Sequence, residues 1–232
     1  MEKKISIAID GPAGAGKSTI ARRLAQEMGY RYVDTGAIYR TVAYFMDLWG
    51  VSPKDTDGVN RYIDELTVNI EYDDEGIQHM IMNGMDVTAD IRTPEISQKA
   101  SLIAAQPVVR EALLDMQREA ARQYDVVMDG RDIGTCVLPE ADVKVYLTAS
   151  SLVRARRRYR ELTEKGIACD LKEIEQDILD RDHRDMHREH SPLVQAEDAV
   201  YLDSSDMTLD QVVDAIGRLI DQKIDGQAGG RP

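Results

Sequence analysis

The feature that most constrains this chain of 232 residues is the stretch GPAGAGKST at 11–19, which matches G-x-x-x-x-G-K-[ST]. It follows an apolar run at 5–10, typical of a buried strand, and precedes an amphipathic helix pattern ending at Gly29. In such a loop, backbone amides face a phosphate, the lysine reaches its outer oxygens, and the next hydroxyl can bind Mg²⁺. A chance match is on the order of one per cent. We therefore predict that a nucleoside triphosphate, with Mg²⁺, binds Gly11, Pro12, Ala13, Gly14, Ala15, Gly16, Lys17, Ser18 and Thr19.

Segments typical of strands alternate with segments typical of helices along most of the chain. Apolar runs at 5–10, 30–36, 124–130, 143–149 and 199–205 are predicted strands, and the amphipathic stretches between them are predicted helices. This alternation predicts an α/β fold of the P-loop NTPase type, with a doubly wound parallel sheet.

Residues 62–92 depart from that alternation, because two short strand-like stretches flank the turn DDEG. They predict a small inserted antiparallel β unit. We divide the chain into core segments at 1–61, 104–152 and 169–225, an inserted unit for the acceptor at 62–103, a lid at 153–168 and a flexible tail at 226–232.

Composition narrows the classes of function. The net charge of −13 disfavours broad binding to nucleic acid or to anionic membranes, although a local basic pocket is still allowed. No apolar run is long enough for a signal peptide or a membrane span. The two cysteines, Cys136 and Cys169, indicate no disulfide framework. We expect a cytoplasmic protein that binds neither nucleic acid nor membrane.

The stretch RDHRDMHREH at 181–190 concentrates three arginines and three of the four histidines. On a helical projection the apolar stripe upstream continues into the face of Arg181, Arg184, Asp185 and Arg188, with the histidines on the opposite face. Because these four residues continue the apolar stripe, the pattern favours arginines that face the protein interior and bind an anion, with Asp185 accepting hydrogen bonds from hydroxyl groups. A solvated charge run and a zinc site are the alternatives; the zinc ligands would be His183, His187 and His190.

Two further clusters fit an anion site. The sequence DGRD at 129–132 follows a predicted strand, at the sheet edge where ligands bind in this architecture. Asp129 and Ser18 are our candidate Mg²⁺ ligands, directly or through water. The basic helix near 150–166 predicts a lid whose cations contact ATP, namely Arg154, Arg157 and Arg158.

The chain resembles the bacterial cytidylate kinases, a family of nucleoside monophosphate kinases. The resemblance covers nearly the whole chain and rests on the segments IDGPAGAGKST, DTGAIYR, IRTPEIS, VREALL, DGRDIGT and RDHRDMHR…SPL. It implies a parallel-sheet core with a monophosphate-binding insert and a short lid, ATP as the phosphoryl donor, CMP and dCMP as acceptors, and a monomer. Lys17, Arg131 and Arg188 are the predicted catalytic residues.

The resemblance also implies the acceptor site. Arg40, Arg131 and Arg188 would hold the phosphate beside Thr35, where family members often carry Ser. The ribose would contact Arg181 and Asp185, and the base Ser101, Arg110 and Asp132.

The implied base contacts agree with the chemistry of cytosine. Asp132 can accept a hydrogen bond from the N4 amino group, while Arg110 and Ser101 can donate to N3 and O2. Uracil reverses the pattern at positions 3 and 4, so an ionised Asp132 would repel O4. At Ser18 the family often has Gly, which leaves direct Mg²⁺ ligation there open.

Three rival functions stay open on sequence alone. The first is a related kinase acting on UMP, AMP or a non-nucleotide such as shikimate. The second is a nucleotide-dependent regulatory or nucleic-acid-binding module without phosphotransfer, although no Asn-Lys-x-Asp base reader of GTPase switches occurs here. The third is a zinc-binding module that uses the three clustered histidines.

Overall fold

The computed structural model describes residues 4–228, with side chains through residue 224. The strands are β1 Ser6–Asp10, β2 Arg31–Asp34, β3 Val68–Tyr72, β4 Gln78–Met82, β5 Met85–Asp86, β6 Val126–Gly130, β7 Val143–Thr148 and β8 Val200–Asp203. The helices are α1 Lys17–Met28, α2 Thr35–Leu48, α3 Thr56–Tyr62, α4 Pro94–Ile103, α5 Pro107–Gln123, α6 Ser151–Glu164, α7 Leu171–His187 and α8 Leu209–Ala228.

Five strands form one parallel sheet in the order β2-β6-β1-β7-β8. Strand β1 is central and pairs with β6 on one side and β7 on the other, both in parallel. From β1 the chain passes to β2 at one edge, returns to β6 beside β1, and then crosses to β7 and β8 on the other side. The carboxyl ends of β1 and β6 therefore lie at a switch point of the topology. The predicted doubly wound parallel α/β fold is confirmed.

Apolar side chains cover both faces of the sheet. On one face, Ile38, Met46 and Met128 belong to a core under α2, α4 and α5. On the other face, Leu24 and Leu147 belong to a core that α1 and α8 close. Burial on both faces explains why the strands of the sheet are continuous apolar runs rather than alternating ones.

The small antiparallel unit predicted at 62–92 is present as the sheet β3-β4-β5. Its hairpin register pairs Val68 with Met82, and Met80 and Met82 are buried toward the core of α2. The preceding helix α3 was not predicted, because only Val59 in its seven residues is buried and a helix this short has no readable period. It begins at Asp55, whose Oδ1 accepts the Gly58 amide.

Side chains cap two of the helices. Ser150 caps α6 by accepting the Val153 amide, and Asp170 caps α7 by accepting the amides of Lys172 and Glu173. Helix α8 continues to Ala228 and so includes the first three residues of the predicted tail at 226–232, while 229–232 lie outside the described residues. Within 4–228, no helix is long and apolar enough to span a membrane.

Candidate active site

The phosphate loop joins β1 to α1 and lies directly on β7. A Cβ atom at Gly11 would stand 1.9 Å from the carbonyl oxygen of Leu147, so only glycine fits there. Gly16 has φ 88°, a left-handed conformation, and turns the chain into α1. Lys17 is buried and its Nζ donates to the Pro12 oxygen at 2.8 Å. Burial, and then the nearby Arg131, lower the pKa of Lys17 well below its usual value.

Ser18 and Asp129 form a group of oxygen donors beside the loop. The Ser18 hydroxyl donates to Asp129 Oδ2 at 2.9 Å, and the Tyr32 hydroxyl donates to Oδ1 at 2.8 Å. Burial, and then the nearby Asp34, raise the pKa of Asp129. A hydroxyl and a carboxylate are hard oxygen ligands of the kind that Mg²⁺ prefers. The residues present therefore fit this ion, which Ser18 and Asp129 would hold directly or through water.

Arg131, which is near Lys17, forms an ion pair with Asp185. Arg131 Nε donates to Asp185 Oδ2 at 2.9 Å, and the Ser101 hydroxyl lies 3.4 Å from Oδ1. Burial alone would raise the pKa of Asp185, but Arg131 and Arg181 hold it below its usual value. The carboxylate is therefore ionised at neutral pH and can accept further hydrogen bonds.

Within the part of the chain that the structure describes, Arg181 forms no direct ion pair, and its nearest influential carboxylate, Asp185, is paired with Arg131. Its buried Nε has no hydrogen-bond partner among the described residues, and neither has Nε of Arg40. Burial and the nearby Arg131 lower the pKa of Arg181 to about 10. Arg40 is paired with Asp34 at 2.9 Å. Three guanidinium groups so close together repel one another, and a bound anion would relieve that repulsion.

Asp132 lies between two buried arginines. Arg110 Nη2 donates to Asp132 Oδ2, and Arg188 Nη2 donates to Oδ1 at 3.2 Å. Arg188 also donates through Nε to the Ser191 oxygen at 2.6 Å, and Arg110 lies over the Tyr39 ring. Asp132 is buried, and its carboxylate is therefore oriented by its partners rather than by water.

All these groups open into one cleft of about 530 Å³. The residues of the predicted site that line it are Ala13, Gly14, Ala15, Gly16, Lys17, Ser18, Thr19, Thr35, Arg40, Ser101, Asp129, Arg131, Asp132, Arg157, Arg181, Asp185 and Arg188. Five predicted residues, Gly11, Pro12, Arg110, Arg154 and Arg158, lie outside the lining. The cleft also includes residues without a sequence signal, at Tyr39, Glu161, Ser204, Met207, Leu209 and Val212.

The predicted inward face of α7 needs one correction. Arg184, which the helical projection placed inside, is exposed, whereas Asp182 is buried with 6% of its surface exposed. At 100° per residue, the stripe of Leu171, Ile174 and Ile178 is centred about 50° from Asp182 but about 110° from Arg184, so the stripe itself includes Asp182 and excludes Arg184. The Asp182 carboxylate accepts the Ala13 amide of the phosphate loop. His183 and His187 are exposed, with stacked rings 4.1 Å apart, and within 4–228 no three His, Cys, Asp or Glu side chains form a metal-binding group.

The three arginines predicted for the lid lie in different surroundings. Arg154 is buried and donates to the oxygens of Ala149 and Ala13, both at 2.8 Å. Arg157 donates to the Ser204 oxygen at 2.8 Å and lines the cleft. Arg158 is exposed on its side chain and pairs with Glu161. Their contact with ATP stays a prediction.

Gln78, on β4 of the insert, contacts Asp34 in the site, although it belongs to none of the sequence motifs. Its Oε1 accepts the amide of Asp34 at 2.7 Å, and its Nε2 lies 3.4 Å from the Asp34 oxygen. Asp34 in turn caps α2 at Ala37 and pairs with Arg40. A glutamine on a strand of an insert has no motif, so only the structure could identify it.

Comparison with known proteins identifies the family. The family model described as cytidylate kinase matches residues 7–222. The chain belongs to the cytidylate kinase family. A cytidylate kinase from Lactobacillus johnsonii is 48% identical over 94% of this chain and 95% of its own length. One from an Exiguobacterium species is 48% identical over 96% of this chain and 99% of its own.

A solved structure supports the fold. The crystal structure of an uncharacterised protein from Eubacterium ventriosum aligns with a TM-score of 0.53 at 14% identity, covering 95% of this chain and 99% of that one. At that identity the match supports the α/β fold alone. The predicted resemblance to cytidylate kinases is confirmed by the family model and the curated relatives, which also identify the chain as a nucleoside monophosphate kinase.

Proposed function

We propose that this chain transfers the γ-phosphoryl group of ATP to CMP and dCMP, giving CDP and dCDP. The observation that carries the proposal is the position of Asp132, held between Arg110 and Arg188 in the same cleft that begins at Lys17. The part of the cleft at the phosphate loop suits a triphosphate. Elsewhere in the cleft, the buried carboxylate of Asp132 can accept a hydrogen bond from an exocyclic amino group of a base. Membership of the cytidylate kinase family supports this reading.

The donor half holds ATP through the phosphate loop and α1. Backbone amides of 13–19 face the phosphates, and Lys17 neutralises the outer oxygens. Arg157, Ser204, Met207, Leu209 and Val212 line the part of the cleft available to the adenine and ribose. Mg²⁺, when bound, supplies positive charge to the terminal phosphates, and Ser18 and Asp129 would hold it.

The acceptor half holds the monophosphate. Arg40, Arg131 and Arg188 surround its phosphate, with Thr35 at the border, while Arg181 and Asp185 contact the ribose. Asp132 accepts from the cytosine N4 amino group, and Arg110 and Ser101 donate to N3 and O2. Arg110 lies outside the lining of the cleft, against Asp132 and Tyr39, so its proposed donation to the base would require its side chain to move toward the cleft.

The reaction needs no general base. An oxygen of the acceptor phosphate, already anionic, attacks the γ-phosphorus, and the bond from that phosphorus to the β,γ-bridging oxygen breaks, leaving ADP. Lys17, Arg131 and Arg188 lower the barrier by positioning the two phosphates and by neutralising the charge that spreads over the moving group. We expect the protein to act as a cytoplasmic monomer without nucleic acid or membrane partners.

A substrate panel tests the proposal. ADP release is measured with ATP and Mg²⁺ while CMP, dCMP, UMP, AMP, GMP and shikimate are offered separately. We expect turnover on CMP and dCMP well above all other acceptors. Turnover on UMP or AMP as fast as on CMP would contradict the proposed recognition of the base by Asp132. No turnover on any of these acceptors would contradict the proposed function.

A further inference from the structure

A buried ion pair outside the lining of the cleft connects its two halves. Asp182 on α7 and Arg154 on α6 are 6% and 5% exposed, and Arg154 Nη1 lies 2.6 Å from Asp182 Oδ2. Removing one partner of such a pair leaves an uncompensated buried charge, which makes the pair costly to break.

Both members of the pair hold the same residue of the phosphate loop. Asp182 Oδ1 accepts the Ala13 amide at 3.1 Å, and Arg154 Nη1 donates to the Ala13 oxygen at 2.8 Å. The peptide groups on both sides of Ala13 are thus fixed by side chains that lie far away in the sequence. Arg154 also donates to the Ala149 oxygen at 2.8 Å, which fixes its own position at the end of β7.

Packing around the pair fixes α6 and α7 as one unit against the loop. Ala155, Ile174 and Ile178 form a small apolar cluster between the two helices. A Cβ atom at Gly14 would lie 3.4 Å from Arg154 Cβ and 3.7 Å from Ile178 Cδ1, so both helices lie close beside the loop. The hydrogen bonds of Asp182 and Arg154 to Ala13 join the loop to α7 and α6 at this point.

Helix α7 also holds the acceptor side chains. Arg181 is adjacent to Asp182 in the chain, and Asp185 and Arg188 follow one and two turns later. We propose that the Asp182–Arg154 pair is a positioning element that holds the phosphate loop and the acceptor-binding part of α7 in register for phosphoryl transfer. The inference rests on the proposed function and gives Arg154 a positioning role in place of contact with ATP.

The rate of phosphoryl transfer between two bound substrates is sensitive to the relative position of the phosphate loop and α7. Each substrate can bind its own half of the cleft, but the reacting atoms must approach within about 3–3.5 Å in line, and an error near 1 Å costs on the order of 100-fold in rate. Loss of the pair should therefore reduce transfer while leaving each separate binding step nearly intact.

The test compares Asp182→Asn with the wild type in the full chain. We expect kcat with saturating ATP and CMP to fall at least about tenfold. The Kd of ATP alone and of CMP alone, measured by calorimetry, should each change by less than about threefold. Asp180→Asn is the matched control, because Asp180 is an exposed aspartate of the same helix, and its kcat should equal that of the wild type.

A double-mutant cycle shows whether the two side chains act as a unit. Asp182→Asn combined with Arg154→Gln should lower kcat no more than either single change does, since the pair is already lost in each. Fully additive losses would overturn the proposal. An unchanged kcat in Asp182→Asn, or a loss explained entirely by weaker binding of ATP alone, would overturn it as well.

The experiment also separates failure of the variant to fold, failure of the proposed function and failure of the positioning role. If Asp182→Asn does not fold, Asp182→Glu keeps the charge but moves the carboxylate by one methylene, and an unchanged kcat in that variant refutes the positioning role. If the wild type phosphorylates no monophosphate, the proposed function fails and the inference with it. Normal wild-type turnover together with normal turnover in Asp182→Asn refutes the inference alone.

Discussion

At the scale of single residues, Arg184 in α7 and Arg188, which directly follows the last residue of α7, give a matched pair. Arg188 has 6% of its side chain exposed and donates to Asp132, whereas Arg184 is exposed to solvent. We expect Arg188→Ala to lower kcat more than about 100-fold, because a positive group at the transferred phosphoryl is lost. Arg184→Ala should stay within about twofold of the wild type in the same coupled assay. Equal losses in the two variants would contradict the assignment.

Asp10 gives a prediction about pH. Its carboxylate accepts the amides of Ile133 and Gly134 at 2.8 and 2.7 Å, and burial raises its pKa from 3.8 to about 6, with Asp132 adding to the shift and the two amides and Lys17 opposing it. The folded state therefore binds this proton more tightly than the unfolded state does. The contribution of Asp10 to stability is present in full below pH 4 and is lost as the pH rises through 6.

The measurement is urea unfolding of the wild type and of Asp10→Asn at pH 4.5 and 7. Relative to the variant, which cannot titrate at this position, the wild type should lose about 2 kcal/mol of unfolding free energy between the two pH values. A difference that does not change with pH would show that Asp10 keeps an ordinary pKa in the folded protein.

Sequence motifs identified most of the predicted site residues that line the cleft, for example Lys17, Arg131 and Asp185, whereas Arg110 lies outside the lining. The contacts of these residues with a substrate stay predictions. Asp182 was missed because its partners, Ala13 and Arg154, are 169 and 28 positions away and belong to other elements. A buried carboxylate that holds another element in place leaves no recognisable motif in the sequence around it.

At the scale of elements, Gln78 joins the insert to α2. Gln78→Leu would leave the buried Asp34 amide without its acceptor, at a cost of about 1–3 kcal/mol in unfolding free energy. Because Asp34 orients Arg40, we expect the KM for CMP to rise several-fold while the KM for ATP is unchanged. Steady-state kinetics and thermal unfolding check this, and Gln123→Leu, on the exposed side of α5, is the control. An equal rise in both KM values would contradict the proposed connection.

The strands and helices of the core could be predicted, since each combines a clear period with a cap or glycine boundary. Helix α3 and the π-helical turn Ile133–Val137 could not. The turn depends on the Asp10 carboxylate and on Arg118, which donates to the Val137 and Cys136 oxygens at 3.0 Å. Both contacts come from distant parts of the chain, so the local sequence does not specify the turn.

At the scale of the whole molecule, a chain of net charge −13 has one cleft lined by six cationic side chains, those of Lys17, Arg40, Arg131, Arg157, Arg181 and Arg188. The guanidinium groups of Arg40, Arg131 and Arg181 raise the energy of the empty protein, and a bound phosphate should lower it. We expect CMP at 100 times its Kd to add about 2.7 kcal/mol to the unfolding free energy. Thermal unfolding with cytidine at the same concentration is the control and should show a much smaller shift. Equal shifts would show that the arginines do not hold the phosphate.

The π-helical turn after Asp132 has a consequence for how this family can vary in length. Its hydrogen bonds run from the Val137 amide to the Asp132 oxygen and from the Leu138 amide to the Ile133 oxygen, each spanning five residues where an α-helix spans four. Deleting one residue from 134–136 would remove the extra residue that lets these hydrogen bonds span five positions, so the segment between Asp132 and Leu138 would have to rearrange. Here the number of residues constrains the backbone more than their identity does, so we expect deletions to be tolerated less than substitutions.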